Sequence, residues 1–182
     1  MSLHSQKKYL LVVNIVGGIA VLFSYIQGLQ AHPEAGPLLW GEVPAAIMPL
    51  YTISMFSAAT GYLLFTWFIL FRLNADEVKI AGRFSYVLFN ALYILILAPS
   101  ALWMPLTFIM LEQPSLVTWV AIRVVLAAVG IGSAGMLAAL FSVRPRAPLW
   151  AYIPAVIGSI AFCVQTALLD ALVWPAFFPL TF

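Results

Sequence analysis

The chain has 182 residues, of which 64% are hydrophobic and 8% charged, where a soluble domain carries about 25% charged residues; its mean hydropathy is +1.07. These values exclude a soluble globular domain and point to an all-α polytopic membrane protein built as one five-helix transmembrane bundle. The net charge of +2 carries no nucleic-acid signal because the basic residues sit between apolar stretches, and the single cysteine, Cys163, excludes an internal disulfide and any cysteine-based metal cluster.

The first apolar stretch, about residues 9–29, contains Asn14, Ser24 and Gln27 as its polar residues, and Gly17, Gly18 and Gly28 offer close approach to a neighbour. It is too long for a secretory signal, no small-residue cleavage site follows it, and it is expected to be retained. Residues 30–44 hold three prolines and two glycines, which forbids a long helix. The apolar centre of this loop, Leu38, Leu39 and Trp40, should fold back onto the membrane surface.

A second stretch, about 45–73, has Pro49 in its first turns, where proline is best tolerated, and a stripe of Ser54, Ser57, Ala58 and Gly61 for packing. The third, 80–111, is uncharged from Phe84 to Leu111. At about 1.5 Å per residue it exceeds the roughly 30 Å of bilayer hydrocarbon. Pro99 and Pro105 lie deep inside it, around Ser100 and Trp103, so it should bend where freed carbonyls meet other helices or a cavity. Glu112, Gln113 and Pro114 form a turn, and Ser115 is placed to cap the next helix.

The fourth stretch, 116–143, is narrowed by Gly130, Gly132, Ser133 and Gly135 and carries one charge, Arg123; a basic stop, Arg144 to Pro148, ends it. The fifth, 149–174, contains Pro154, Gln165 and Asp170 before a short aromatic tail. Seven of the eight basic residues fall before the first stretch and after the second and fourth. By the positive-inside rule the N-terminus is expected in the cytoplasm and the C-terminus outside.

With that topology the polar and proline residues inside the spans concentrate in the outer half, under the Trp40 loop, while the inner halves are almost purely apolar. Arg123 and Asp170 come from adjacent spans at similar depth. A charge near mid-helix costs about 2.5–3.5 kcal/mol on insertion scales, so two readings arise: a helix-to-helix clamp, or a polar anchor for a ligand. Trp103 is either a ligand-stacking surface or a packing and interfacial residue. Trp40, Trp119, Trp150 and Trp174 fall near expected interfaces, Trp67 deeper. His4 and His32 lie outside the spans, which excludes a bis-histidine haem within the bundle, and the absence of a mid-span lysine argues against a retinal Schiff base. His32, Glu34 and Glu42 share a loop whose plain reading is a solvated segment rather than a cation site. No HExxH, GxSxG or phosphate-loop motif occurs.

Three stretches resemble the translocator protein family, also called the tryptophan-rich sensory proteins. IMPLYTISMFSAATGYLLFTW (47–67) is similar to its proline-led second span. ALWMPLTFIMLEQP (101–114) is similar to its third span, with Ser100 where that family has Asn ahead of the Trp. WAYIPAVIGSIAFCVQTALLD (150–170) is similar to its fifth, with Gln165 or Asp170 in place of a late Asn. The first loop departs more, retaining Trp40, Pro44 and Pro49 of a richer Trp and Pro run. The resemblance implies a non-enzymatic or weakly enzymatic binder of flat lipophilic molecules, tetrapyrroles or sterols, with no covalent cofactor. Candidate ligand-binding residues are Trp40, Tyr51, Trp103, Arg123, Gln165 and Asp170, under a lid formed by residues 30–44. Two other readings stand beside it: an accessory subunit packed against membrane-complex partners or a second copy of itself, and a sterol- or isoprenoid-modifying enzyme using Asp170 and Glu112.

Overall fold

The computed structural model of the protein describes residues 4–178. Five helices are long and apolar enough to cross a membrane. They are α1 (Ser5–Ala31), α2 (Met48–Phe71), α3 (Val87–Glu112), α4 (Leu116–Ser142) and α5 (Leu149–Cys163), the last continuing as a π-helical stretch, Val164–Val173, and a final turn, α6 (Trp174–Phe177). The architecture is therefore the expected all-α five-helix bundle of an integral, multi-pass membrane protein.

Local chemistry sets most helix ends. Ser115 caps α4 by accepting the Thr118 N–H at 3.2 Å. Pro49 falls in the first turn of α2, where its missing N–H costs nothing. The main departure from expectation is the start of α3. Residues 80–86 are apolar enough to extend a span, but Lys79–Ile80 forms a short antiparallel strand with Val143–Arg144, registered Lys79 to Arg144 and Ile80 to Val143. Ala81 and Gly82, both at positive φ, then turn the chain, and Ile80 is buried by that strand pairing instead of by a helix. The pairing joins the loops after α2 and α4 at one end of the bundle. Lys79, Arg83, Arg144 and Arg146 lie in those loops; this is the basic end. Pro99 and Pro105 sit inside α3 without ending it, and the Ser100 hydroxyl donates to the Ile96 carbonyl at 2.7 Å.

Around the bundle the helices follow the order α1–α3–α4–α5–α2, and α1 packs on α3 while barely touching α2. The α2–α5 contact is the closest. A Cβ on Gly61 would stand 2.2 Å from the Gly158 carbonyl oxygen, so both positions require glycine for the backbones to meet. One hydrogen bond spans the α1–α2 seam at mid-depth, from the Tyr62 hydroxyl to Asn14 Oδ1 at 2.6 Å.

The core divides in two along the bundle axis. Towards the basic end a large cluster forms around Phe65, Phe68, Tyr86, Phe89, Tyr93 and Leu140. Towards the far end smaller clusters gather Tyr51, Ile122, Leu126, Leu169 and Trp174, and Met104 with Phe108, against Trp40, Trp103 and Trp119. The loop between α1 and α2, expected on the membrane surface, is bonded to the end of the bundle. Trp174 Nε1 donates to the Leu39 carbonyl at 2.9 Å, and the Glu42 N–H donates to the Phe177 carbonyl at 2.7 Å.

Candidate functional site

Asp170 is the one carboxylate inside a span rather than at its end, and the π-helical stretch determines its surroundings. In an α-helix residues five apart point about 140° away from each other. The wider π turn brings Gln165 and Asp170 together, and Gln165 Nε2 donates to Asp170 Oδ1 at 2.7 Å. Tyr51 of α2 reaches the segment bearing this pair directly, and Tyr25 of α1 reaches it through Trp103 and Trp174. Tyr51 is buried, and its hydroxyl donates to the Leu169 carbonyl at 3.2 Å, which ties α2 to the segment bearing Asp170.

Aromatic rings continue outward from there. Tyr25 packs on Trp103 with ring centres 5.7 Å apart, Trp103 meets Trp174 edge-on at 5.9 Å, and Trp40 meets Tyr51 edge-on at 5.7 Å. Trp103 Nε1 and Gln165 Oε1 of this shell, like Trp119 Nε1 in the same far-end cluster, are buried polar atoms without a partner. Leaving such a group unmade costs about 1–3 kcal/mol each. Asp170, Trp103 and Tyr25 are only half-buried.

The structure therefore groups Trp40, Tyr51, Trp103, Gln165 and Asp170, and corrects the expectation for Arg123. Arg123 does not pair with Asp170. Its guanidinium lies 3.1 Å from the centre of the Trp119 ring and donates to the carbonyls of Trp119, Pro175 and Phe178 at 3.3, 2.9 and 3.2 Å. The last carbonyls of a helix lack partners within it, and a cation there also suits the helix dipole. Similar depth on adjacent helices did not place the two charges on facing sides. Trp174 is likewise no interfacial residue; it is buried and ties the loop to the bundle, whereas Trp150 is exposed as expected. His32 meets Glu112 at 3.2 Å and stacks on Phe108, apart from any cluster with Glu34 or Glu42.

The expected open cavity beneath the loop is replaced by this packed aromatic cluster. Two grooves stand out elsewhere on the surface. One, of about 500 Å³, runs between α1 and α3 past Gln6, Tyr9, Asn90 and Ile94; the other, of about 390 Å³, lies over the Gly61–Gly158 contact. Tyr25 escaped the sequence reading altogether. Its signal was an aromatic hydroxyl beside Gln27 at the depth of Trp103, in a helix with few other polar groups.

No protein-family model, no curated protein and no solved structure matches the chain.

Proposed function

We propose that this membrane protein binds a flat lipophilic molecule, tetrapyrrole- or sterol-like in shape, in the half of the bundle remote from its basic loops. One observation carries this reading: a carboxylate and two unpartnered polar atoms are held inside a shell of Tyr25, Tyr51, Trp103 and Trp174. Ring faces supply area for a planar molecule, and a few convergent polar groups fix its orientation. A lipophilic ligand reaches them from the membrane through the α1–α2 seam, with Trp103 and the loop carrying Trp40 swinging aside. The resemblance to the translocator protein family supports the same reading, with the N-terminus in the cytoplasm and the site towards the outer face. No covalent cofactor and no chemical step is invoked.

Quenching of intrinsic tryptophan fluorescence by a fluorescent sterol, titrated into protein in nanodiscs, tests the proposal. Trp103→Ala should weaken the titration about tenfold, since base-scale stacking on one large ring is worth 1–3 kcal/mol. An unchanged titration in that variant would remove the site from this half of the bundle. A second reading, an accessory subunit for a membrane complex or a homodimer, is favoured by α1, whose only buried residues are Leu10 and Ser24.

A further inference from the structure

Two arginines of this protein already sit on aromatic rings. Arg72 lies between Trp67 and Trp150, 4.5 and 4.9 Å from their ring centres, and Arg123 covers Trp119. The shell around Asp170 has the same ingredients without a cation of its own. Among the described residues the ion pairs are His4 with Asp76 and His32 with Glu112, and the one hydrogen bond recorded to Asp170 comes from the neutral amide of Gln165. The nearest candidate, Arg123, is committed to three backbone carbonyls. Asp170 follows Leu169, whose carbonyl accepts from Tyr51, and precedes by one turn Trp174, which meets Trp103 and through it Tyr25; with Gln165 Oε1 as a second free acceptor, this segment brings acceptors and negative ring faces together.

We propose that this site selects a lipophilic amine, bound as its ammonium, with the N–H groups donated to Asp170 and Gln165 Oε1 and the apolar body against the rings of Tyr25 and Trp103. The inference rests on the ligand-site reading above and names the charge its ligand carries. Ring quadrupoles attract a cation most strongly where water is excluded, and the carboxylate supplies the counter-charge. A carboxylate-bearing molecule of the same shape meets like charge and unpaired acceptors, so the site discriminates against it. Trp103 Nε1 is left to an acceptor elsewhere on the ligand.

Three isosteric probes isolate the charge: 1-pyrenemethylamine, 1-pyrenemethanol and 1-pyrenecarboxylate, titrated against the full chain in phosphatidylcholine nanodiscs, with empty nanodiscs subtracted. The amine should bind about tenfold tighter than the alcohol, with the carboxylate weakest. Asp170→Asn keeps the shape and one acceptor and should bring amine and alcohol within about threefold of each other. Circular dichroism and gel filtration confirm that this variant folds, and Gln165→Met provides a second variant, which should narrow the preference less. Equal binding of all three probes leaves a lipophile site and overturns the amine assignment. An amine preference that survives Asp170→Asn overturns it too. Failure of all three to bind overturns both this inference and the ligand site itself.

Discussion

The two halves of the bundle are made from similar residues and arranged to different ends. Towards the basic end Phe65, Tyr93 and Phe162 pack ring against ring, and the phenols there are satisfied. Tyr86 donates to the Ile69 carbonyl at 3.2 Å, the Tyr93 and Thr66 hydroxyls are hydrogen-bonded to each other at 2.6 Å, and Tyr152 donates to the Leu140 carbonyl at 3.1 Å. In the far half the rings of Trp103 and Tyr25 are only half-buried, an indole N–H and an amide oxygen lack partners, and a carboxylate lies in their midst. Membrane helices gain little from the hydrophobic effect between themselves, so close packing and satisfied hydrogen bonds hold them together. The basic half packs ring on ring with its phenols satisfied, and leaves Asn90 Oδ1 and Arg146 Nε as its buried unpartnered atoms. The far half leaves Trp103 Nε1, Trp119 Nε1 and Gln165 Oε1 unpartnered and adds what the basic half lacks, a carboxylate inside a span held by a neutral amide.

The contrast breaks most visibly if the basic half proves tolerant. Phe65→Ala removes a fully buried ring that touches Tyr62, Tyr93 and Phe162. It should cost about 3–5 kcal/mol, read as a lowered unfolding midpoint in detergent, with the sterol titration of the folded protein unchanged. A loss below about 1 kcal/mol would mean that this half is no better packed than the other.

Arg123→Gln addresses the border between the site and its scaffold. Removing the charged donors to Pro175 and Phe178 should cost about 1.5–3 kcal/mol and speed hydrogen exchange in α6. If Arg123 were instead a ligand group, the substitution would weaken the titration and leave exchange in α6 as it was.

Most of the fold was legible in the sequence because it follows from hydropathy and length, which act residue by residue. The five spans, the Ser115 cap and the tolerated Pro49 all belong to that class. What escaped depends on azimuth and on partners distant in the chain. Residues 80–86 carry the composition of a helix start, and only pairing with Val143–Arg144 makes them a strand and turn. Nothing in QTALLDALV announces a π-helix. That stretch packs against α4 where Gly130 would place a Cβ 3.1 Å from the Cα of Ala167, so its path is set by the neighbour. Arg123 and Asp170 share a depth, but each residue of helix rotates the side chain by about 100°, and depth alone says nothing of facing. The site was legible as a set of residue types in one half of the membrane, and illegible as a set of contacts.

The smallest expected effect is the most discriminating. Tyr86→Phe deletes a hydroxyl that is fully buried and bonded to the Ile69 carbonyl, and should cost about 1 kcal/mol. The matching change in the far half replaces Trp103 by its benzothiophene isostere, which puts sulfur in place of the indole N–H and preserves the ring. Because that N–H has no partner, the ligand-free protein should lose nothing measurable, and relief of an unmade hydrogen bond should if anything raise its unfolding midpoint. Each substitution removes one ring-borne hydrogen-bond donor, bonded in Tyr86 and unbonded in Trp103, so a difference between them measures how each half treats its donors. Equal costs would mean that the Trp103 N–H is satisfied after all, and the case for an unfilled site would then rest on Asp170 and the Gln165 amide oxygen.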